Sequence, residues 1–136
     1  MILFSYMGEI KTNTSVRANG TAKQLELIWD NGSLWTFISE SAAKRINAPF
    51  FELCEPKTFH GLGNGKFRAH YATNIYIKLR GIWCSYLLYI VPDDAMPKMD
   101  ILIGHEFMQS YNIRLDPRHR KLIIQKDDLL RASFVY

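Results

Sequence analysis

The sequence has few of the residues that define small disulfide-bonded, zinc-binding or membrane-spanning proteins. Its two cysteines, Cys54 and Cys84, are too few for a disulfide framework and form no C-x-x-C pair. We expect both to be reduced and to serve in packing. The four histidines are not spaced like zinc ligands, so no metal site and no cofactor are predicted. No apolar run approaches the roughly 20 residues of a membrane-spanning helix, and no membrane partner is expected.

Length and composition indicate one folded domain over residues 1–136. Of the 136 residues, 48% are hydrophobic and only 8 are glycine and 5 proline, which is enough apolar material for a core. The sequence predicts a soluble domain in the cytoplasm, with virus-like particles as a more specific location. The net charge of +4 would suit an acidic partner or nucleic acid. Because the basic residues are scattered, nucleic acid is not the expected partner.

Short strands separated by turn signals dominate the sequence. Residues 23–29 and 75–79 alternate apolar and polar side chains, and residues 82–91 are rich in β-branched and aromatic side chains. The dipeptides Asn19-Gly20 and Arg80-Gly81 predict tight turns. Further strands are expected at 100–103, 113–115 and 122–124.

Only two short helices are expected. Ser39 is a suitable N-cap for residues 40–46, and residues 105–111 form a second candidate. The patterns together predict an all-β domain, a small closed β-barrel with one or two short helices.

The stretch Asp30-Asn31-Gly32-Ser33 is the most informative one for chemistry. It follows an apolar strand directly, which puts a carboxylate on a tight turn where it can accept backbone N–H hydrogen bonds. An ordinary Asn-Gly hairpin turn is the alternative interpretation.

Two further informative stretches follow residues 30–33 in the sequence. Residues 59–66 hold three glycines in five positions and predict a mobile hairpin tip, with an ordinary loop as the alternative. Residues 101–104 are three apolar residues and a glycine before a short helix.

The order and spacing of these stretches resemble the retropepsins, the aspartic proteases of retroviruses, LTR retrotransposons and their domesticated relatives. The matching elements are Ile28-Trp29-Asp30-Asn31-Gly32-Ser33, Phe37-Ile38-Ser39-Glu40, the glycine-rich residues 59–66, and Ile101-Leu102-Ile103-Gly104-His105. The resemblance covers a core of about residues 7–125 and leaves residues 126–136 as an interface strand or a tail. One position departs from the family pattern, since Asn31 stands where the family has Thr or Ser.

The resemblance implies a retropepsin-type barrel and an aspartic endopeptidase that works as a homodimer on a peptide or polyprotein substrate, as in polyprotein processing for an LTR retroelement. Its site residues would be the catalytic Asp30, the active-site loop residues Asn31, Gly32 and Ser33, and two further groups. Those groups are the flap residues His60, Gly61, Leu62 and Gly63, and the packing residues Ile103 and Gly104.

Leu34, Trp35, Leu62 and Ile103 are candidates for lining subsites, with ordinary core packing as the alternative. Two other functions remain open. In the first, Asn31 marks a catalytically silent domain kept for dimerisation or peptide binding. In the second, the chain is a small nucleic-acid-binding barrel, for which residues 76–80, Tyr-Ile-Lys-Leu-Arg, offer a faint version of aromatic and basic side chains along one strand.

Overall fold

Nine β-strands and three short α-helices make up the computed structural model, which describes residues 9–60, 65–96 and 99–133. The strands are β1 (Glu9–Ala18), β2 (Thr21–Asp30), β3 (Phe37–Ser39), β4 (Phe51–His60), β5 (Lys66–Leu79), β6 (Ile82–Val91), β7 (Ile101–Ile103), β8 (Arg114–Asp116) and β9 (Lys121–Ile123). The helices are α1 (Glu40–Arg45), α2 (His105–Ser110) and α3 (Lys126–Ser133), and one 3₁₀ turn covers Asp93–Ala95.

Six of the strands close a barrel. Their hydrogen-bonded order is β1-β2-β7-β3-β6-β5, and β1 pairs with β5 through Val16↔Ile77 and Arg17↔Tyr76, which completes the ring. β4 adds to β5 outside the ring, and β8 and β9 form a separate two-stranded sheet. The predicted all-β, small closed barrel is confirmed, with three α-helices among the described residues where one or two were expected.

Parallel pairing brings two strand ends to one edge of the barrel. β2 runs parallel to β7, with Leu27 opposite Ile101 and Trp29 opposite Ile103. β3 lies on the other side of β7 and pairs with it antiparallel. The residues that follow β2 and β7 therefore lie next to each other, although their positions are far apart in the sequence.

The barrel interior is filled by the apolar side chains that the alternation predicted. Leu25, Leu27 and Trp29 of β2 are fully buried, as are Ile75 and Ile77 of β5. Full burial of one such side chain contributes about 1.5 to 3 kcal/mol. Phe107 of α2 packs edge-on against Trp29 at 6.1 Å between ring centroids. The core thus extends from the barrel onto the helix that follows β7.

The predicted turns and the first helix cap are present in the structure. Asn19 and Gly20 have φ angles of 47° and 83°, and Arg80 and Gly81 have φ angles of 48° and 78°. Positive φ at both residues fits a two-residue hairpin turn. The Ser39 hydroxyl accepts a hydrogen bond from the backbone N–H of Ala42, 3.2 Å away.

The expectation of a C-terminal interface strand is wrong for residues 126–133. These residues form α3, with Asp127 and Asp128 in its first turn, Arg131 in its last turn and Leu129 fully buried. Acidic residues at the start and a basic residue at the end complement the helix dipole, which explains the preference for a helix. Residues 134–136 lie outside the described part of the chain.

The two cysteines are free, but only one packs. Cys84 is buried in the core, whereas Cys54 is exposed on β4, so the packing expectation is wrong for Cys54. Within the described ranges β4 bonds to β5 alone and has an irregular register between Glu52 and Lys57, which leaves most of its side chains in solvent. None of the helices in the described ranges is both long and apolar enough to cross a membrane.

Candidate active site

Asp30 is the last residue of β2 and, among the described residues, the one acidic residue that is buried. Its exposed fraction is 5%. One carboxylate oxygen, Oδ1, accepts a hydrogen bond of 2.8 Å from the backbone N–H of Gly32. The Ser33 N–H donates to the Asp30 carbonyl at 3.2 Å, which closes the turn. The carboxylate on a tight turn that the sequence predicted is therefore present.

Burial sets the proton affinity of this acid. Loss of water around the carboxyl raises the pKa of Asp30 above its ordinary value, and the hydrogen bond from Gly32 opposes the rise without cancelling it. Among the described residues, no group donates a hydrogen bond to the second carboxylate oxygen, Oδ2. Asp30 therefore has one fixed oxygen and one oxygen available to another group.

The neighbours of Asp30 in the loop have distinct surroundings. A Cβ on Gly32 would lie 3.0 Å from Oδ1 of Asp30, so a side chain there would crowd the carboxylate. The Ser33 hydroxyl donates to the Trp35 carbonyl at 2.7 Å. Asn31 is exposed and faces a hollow lined by α2 and residues 112–115. Gly32 and Ser33 thus bond to Asp30 through their backbone N–H groups, and Asn31 lies between them and the acid in the loop.

The start of α2 holds the loop by its backbone. His105 N–H donates to the Ser33 carbonyl at 2.7 Å, and Glu106 N–H donates to the Leu34 carbonyl at 3.1 Å. These are the N–H groups that a helix leaves unpaired in its first turn. A Cβ on Gly104 would lie only 2.1 Å from the Trp35 carbonyl oxygen, so no other residue fits there. The predicted packing role of Gly104 next to the loop agrees with this contact.

Thr36 and Glu106 form a second connection that the sequence analysis missed. The Thr36 hydroxyl donates to the Glu106 carboxylate and accepts the Gly104 N–H at 3.0 Å. Thr36 is almost completely buried. The available signals were a threonine next to two apolar residues and an acid two positions after Gly104. Neither signal identifies a partner 70 positions away.

Tyr86 adds to this network from β6. Burial raises the pKa of Tyr86 to about 12, with a smaller opposing effect from a hydrogen bond with Ser110 and a further rise from contact with Glu106. The ring of Tyr86 lies 4.8 Å from that of Phe107. Glu106 therefore connects the loop, α2 and the barrel wall.

The glycine-rich stretch lies at the end of the β4–β5 hairpin. Phe59 pairs with Phe67, and His60 pairs with Lys66 as the last described pair. The Phe59 and Phe67 rings stack at 5.6 Å between centroids, and Phe59 also contacts Phe37 at 4.8 Å. Gly61, Leu62 and Gly63 lie outside the described residues, so the predicted flap contacts are untested. His60 is described and exposed.

The candidate subsite residues divide into two groups. Leu34 and Trp35 are 56% and 39% exposed, and the Lys57 ammonium lies 5.9 Å from the Trp35 ring. Ile103 is fully buried in the core, so the structure gives it the packing role and excludes it as a lining residue in the single chain. Within the described residues, no group of three or more His, Cys, Asp or Glu side chains is placed to hold a metal ion.

Solved structures resemble this one at low sequence identity. The retroviral protease-like domain of Ddi1 from Leishmania major matches with a TM-score of 0.56 and 16% identity, over 86% of this chain and 90% of that chain. EIAV protease, solved in complex with the inhibitor HBY-793, matches with a TM-score of 0.57 and 18% identity, over 78% of this chain and 92% of that chain. No protein-family model and no curated protein sequence matches the chain. The fold is retropepsin-like.

Proposed function

We propose that the chain is an aspartic endopeptidase that acts as a homodimer, with one Asp30 from each copy, in polyprotein processing for an LTR retroelement. The observation that carries the proposal is the buried Asp30 carboxyl, held by the Gly32 N–H on a loop fixed to α2. The retropepsin-like fold supports it, because proteases with this fold are among the structures it resembles.

The proposed reaction needs two carboxyl groups and one water molecule. Two carboxylates about 3 Å apart cannot both ionise, so the pair shares one proton. The ionised member takes a proton from water as the water oxygen attacks the scissile carbonyl carbon. The protonated member gives its proton to the carbonyl oxygen. Collapse of the tetrahedral intermediate breaks the C–N bond. The carboxyl that took the water proton gives it to the leaving nitrogen, and the other carboxylate takes a proton from a hydroxyl of the intermediate, which restores the shared proton. The raised pKa of Asp30 agrees with the acid role.

The second carboxyl has to come from a second chain. The sequence contains one Asp-x-Gly stretch of this kind, at Asp30-Asn31-Gly32. A twofold axis next to Oδ2 of Asp30 would bring the two copies of this oxygen to one water. The homodimer is therefore part of the proposed mechanism, because a single chain has half of the site.

We infer that β8 provides the contact between the copies. Within the described residues β8 pairs only with β9, so its other edge is unpaired. Residues of this strand, Arg114 and Leu115, share the hollow beside Asn31 with α2. An open strand edge readily pairs with another strand. Antiparallel pairing of two β8 strands centred on Leu115 would set Arg114 of each copy opposite Asp116 of the other.

A charge exchange tests this contact. Arg114→Glu places like charges opposite each other and should raise the dimer dissociation constant, with activity falling in parallel at low protein concentration. Adding Asp116→Arg should restore both. Sedimentation velocity and peptidase assays at matched concentrations measure this. An Arg114→Glu protein that dimerises normally would exclude the β8 contact while leaving the role of Asp30 open.

The hairpin tip would cover the bound peptide as a flap. Backbone groups at Gly61 and Gly63 are the proposed partners of the substrate backbone, in the manner of an added strand. Gly63→Val should lower turnover more than it lowers the melting temperature. Normal turnover in this variant would exclude a flap role for the tip.

The central test is hydrolysis of a mixed peptide library at acidic pH by the native chain and by Asp30→Asn. The expected loss for Asp30→Asn is about 10⁴-fold, because both proton transfers fail. Asp127→Asn, at an exposed acid of α3, is the matched control and should keep full activity. Equal hydrolysis by the native chain and Asp30→Asn would remove the proposal.

Asn31 favours a second candidate, a catalytically silent domain that dimerises or binds peptides. Its exposed amide occupies the position where the family has a hydroxyl that bridges the two loops. A native chain that dimerises and binds peptides without cleaving them would support this candidate, above all if Asn31→Thr cleaves.

A further inference from the structure

The outer face of the barrel carries a group of basic and aromatic side chains away from Asp30. Arg17 lies opposite Tyr76 where β1 pairs with β5, and Lys78 lies opposite Trp83 where β5 pairs with β6. The inward neighbours in these strands, Val16 and Ile77 among them, are fully buried, so the four side chains share the outer surface. We call Arg17, Tyr76, Lys78 and Trp83 the basic-aromatic face.

Three cation–ring contacts link the four side chains. The Arg17 guanidinium carbon lies 4.4 Å from the centre of the Trp83 ring and 5.4 Å from that of Tyr76. The Lys78 ammonium lies 5.5 Å from the Trp83 ring. Tyr76 keeps 41% of its surface exposed. The contacts order long side chains that would otherwise be mobile, and they leave aromatic surface open to solvent.

Among the described residues, no acidic side chain pairs with the positive charges of this face. In the described part of the chain, the ion pairs are Lys44–Glu40, Arg45–Asp100 and His119–Asp116, and none involves Arg17 or Lys78. The residues opposite Arg17 and Tyr76 in the next strands, Ala22 and Ser85, are uncharged. The face therefore presents two cations that no carboxylate of the described residues neutralises.

We propose that the basic-aromatic face binds single-stranded nucleic acid, with Arg17 and Lys78 on phosphates and a base stacked on Tyr76. Phosphates would neutralise the cations, and bases would cover the exposed ring surface. An acidic peptide would satisfy the cations alone and leave the ring without a partner. A nucleotide offers both a phosphate for the cations and a base for the exposed ring.

This face is remote from the candidate active site and does not depend on the proposed protease function. On β1, Arg17 is eight residues from Glu9, the residue paired with Asp30. Eight residues of extended strand span about 26 Å. Loss of binding at this face should therefore leave peptide hydrolysis unchanged.

Fluorescence anisotropy with labelled single strands of RNA and DNA, about 12 nucleotides long and of mixed sequence, tests the proposal. Binding should weaken with salt, with a slope of log K against log salt of about −1.4, because two phosphate contacts each contribute about 0.7. Lys78→Gln should reduce the slope to about −0.7. The control Lys126→Gln, at an exposed lysine of α3, should leave the slope unchanged.

A matched pair of tyrosines tests the stacking. Tyr76→Leu should weaken binding at least about fivefold, the lower limit of one lost base–aromatic stack. Tyr71→Leu, at a tyrosine with the similar exposure of 40%, should bind like the native chain. Thermal melts confirm that each variant is folded. Three results would overturn the proposal: no single-strand binding at low salt, equal losses in both tyrosine variants, or tighter binding of a poly-glutamate peptide than of either strand.

Discussion

The loop that carries Asp30 and the β4–β5 hairpin beside it are held by different forces. Backbone N–H groups of His105 and Glu106 fix the loop by hydrogen bonds to the Ser33 and Leu34 carbonyls. The described end of the hairpin is held by ring contacts of Phe59 with Phe67 and Phe37. Hydrogen bonds require one geometry, whereas ring contacts tolerate sliding. We infer that the Asp30 carboxyl is held in one position, whereas the end of the β4–β5 hairpin can shift.

Gly104→Ala should give the largest effect, because it disrupts the loop that carries Asp30, which hydrogen bonds hold against α2. The new Cβ would lie 2.1 Å from the Trp35 carbonyl oxygen and would force the loop away from α2. We expect a loss of about 3 kcal/mol in the free energy of unfolding and a loss of most activity. Urea unfolding and peptide hydrolysis measure the two effects.

Gly81→Ala is the control for this change. A Cβ there meets no atom within 4 Å, but φ is +78°, so the expected cost is only about 1 to 2 kcal/mol. Activity at a temperature where the protein is folded should be unchanged. A Gly104→Ala protein no less stable than Gly81→Ala would show that the loop is not rigidly held.

Glu106→Ala should come next, because it leaves the Thr36 hydroxyl and the Tyr86 hydroxyl without their acceptor. We expect a cost of about 2 kcal/mol and a fall in kcat. Glu106→Gln keeps one acceptor oxygen and should recover most of both. Full activity in Glu106→Ala would mean that the backbone hydrogen bonds alone position the loop.

Phe59→Ala tests the β4–β5 hairpin, which ring contacts hold, and should have a smaller effect on the stability of the fold. Loss of the ring pairs should lower the free energy of unfolding by about 1 kcal/mol. Since the hairpin is the proposed cover of the peptide, KM should rise more than kcat falls. A fall in kcat with KM unchanged would show that Phe59 helps to position the Asp30 loop and does not act through the hairpin.

The smallest effect concerns pH. Because burial raises the pKa of Asp30, the folded chain holds this proton more tightly than the unfolded chain does. Its contribution to stability is therefore lost as pH rises from the ordinary value of 3.8 through the raised value. Asp30→Asn should flatten this part of the stability profile and should be more stable than the native chain at neutral pH. Superimposable urea-unfolding profiles would contradict the burial effect.

Local sequence signals predicted much of the fold and part of the candidate site. Alternation in 75–79 identified β5, and Asn19-Gly20 identified the first turn, because both depend on neighbouring residues alone. Thr36 and Glu106 were missed because their contact depends on the pairing of β2, β3 and β7. The sequence gives no local sign of which strands become neighbours.

The error at the C-terminus has a different cause. The resemblance left residues 126–136 as an interface strand or a tail, while Asp127 and Asp128 followed by Leu129 already carried a helix signal. Ile103 was ambiguous for a similar reason, since an apolar residue before Gly104 fits both a subsite and a core. Burial in the assembled barrel decided between them.

The most direct measurement is the activity of an equimolar mixture of native chain and Asp30→Asn, exchanged to equilibrium at a fixed total concentration. If each site needs Asp30 from both copies, random pairing leaves only native homodimers active, and activity falls to about a quarter of the all-native value. If one carboxyl per site were enough to act independently, the mixture would keep about half or more, which would contradict the account.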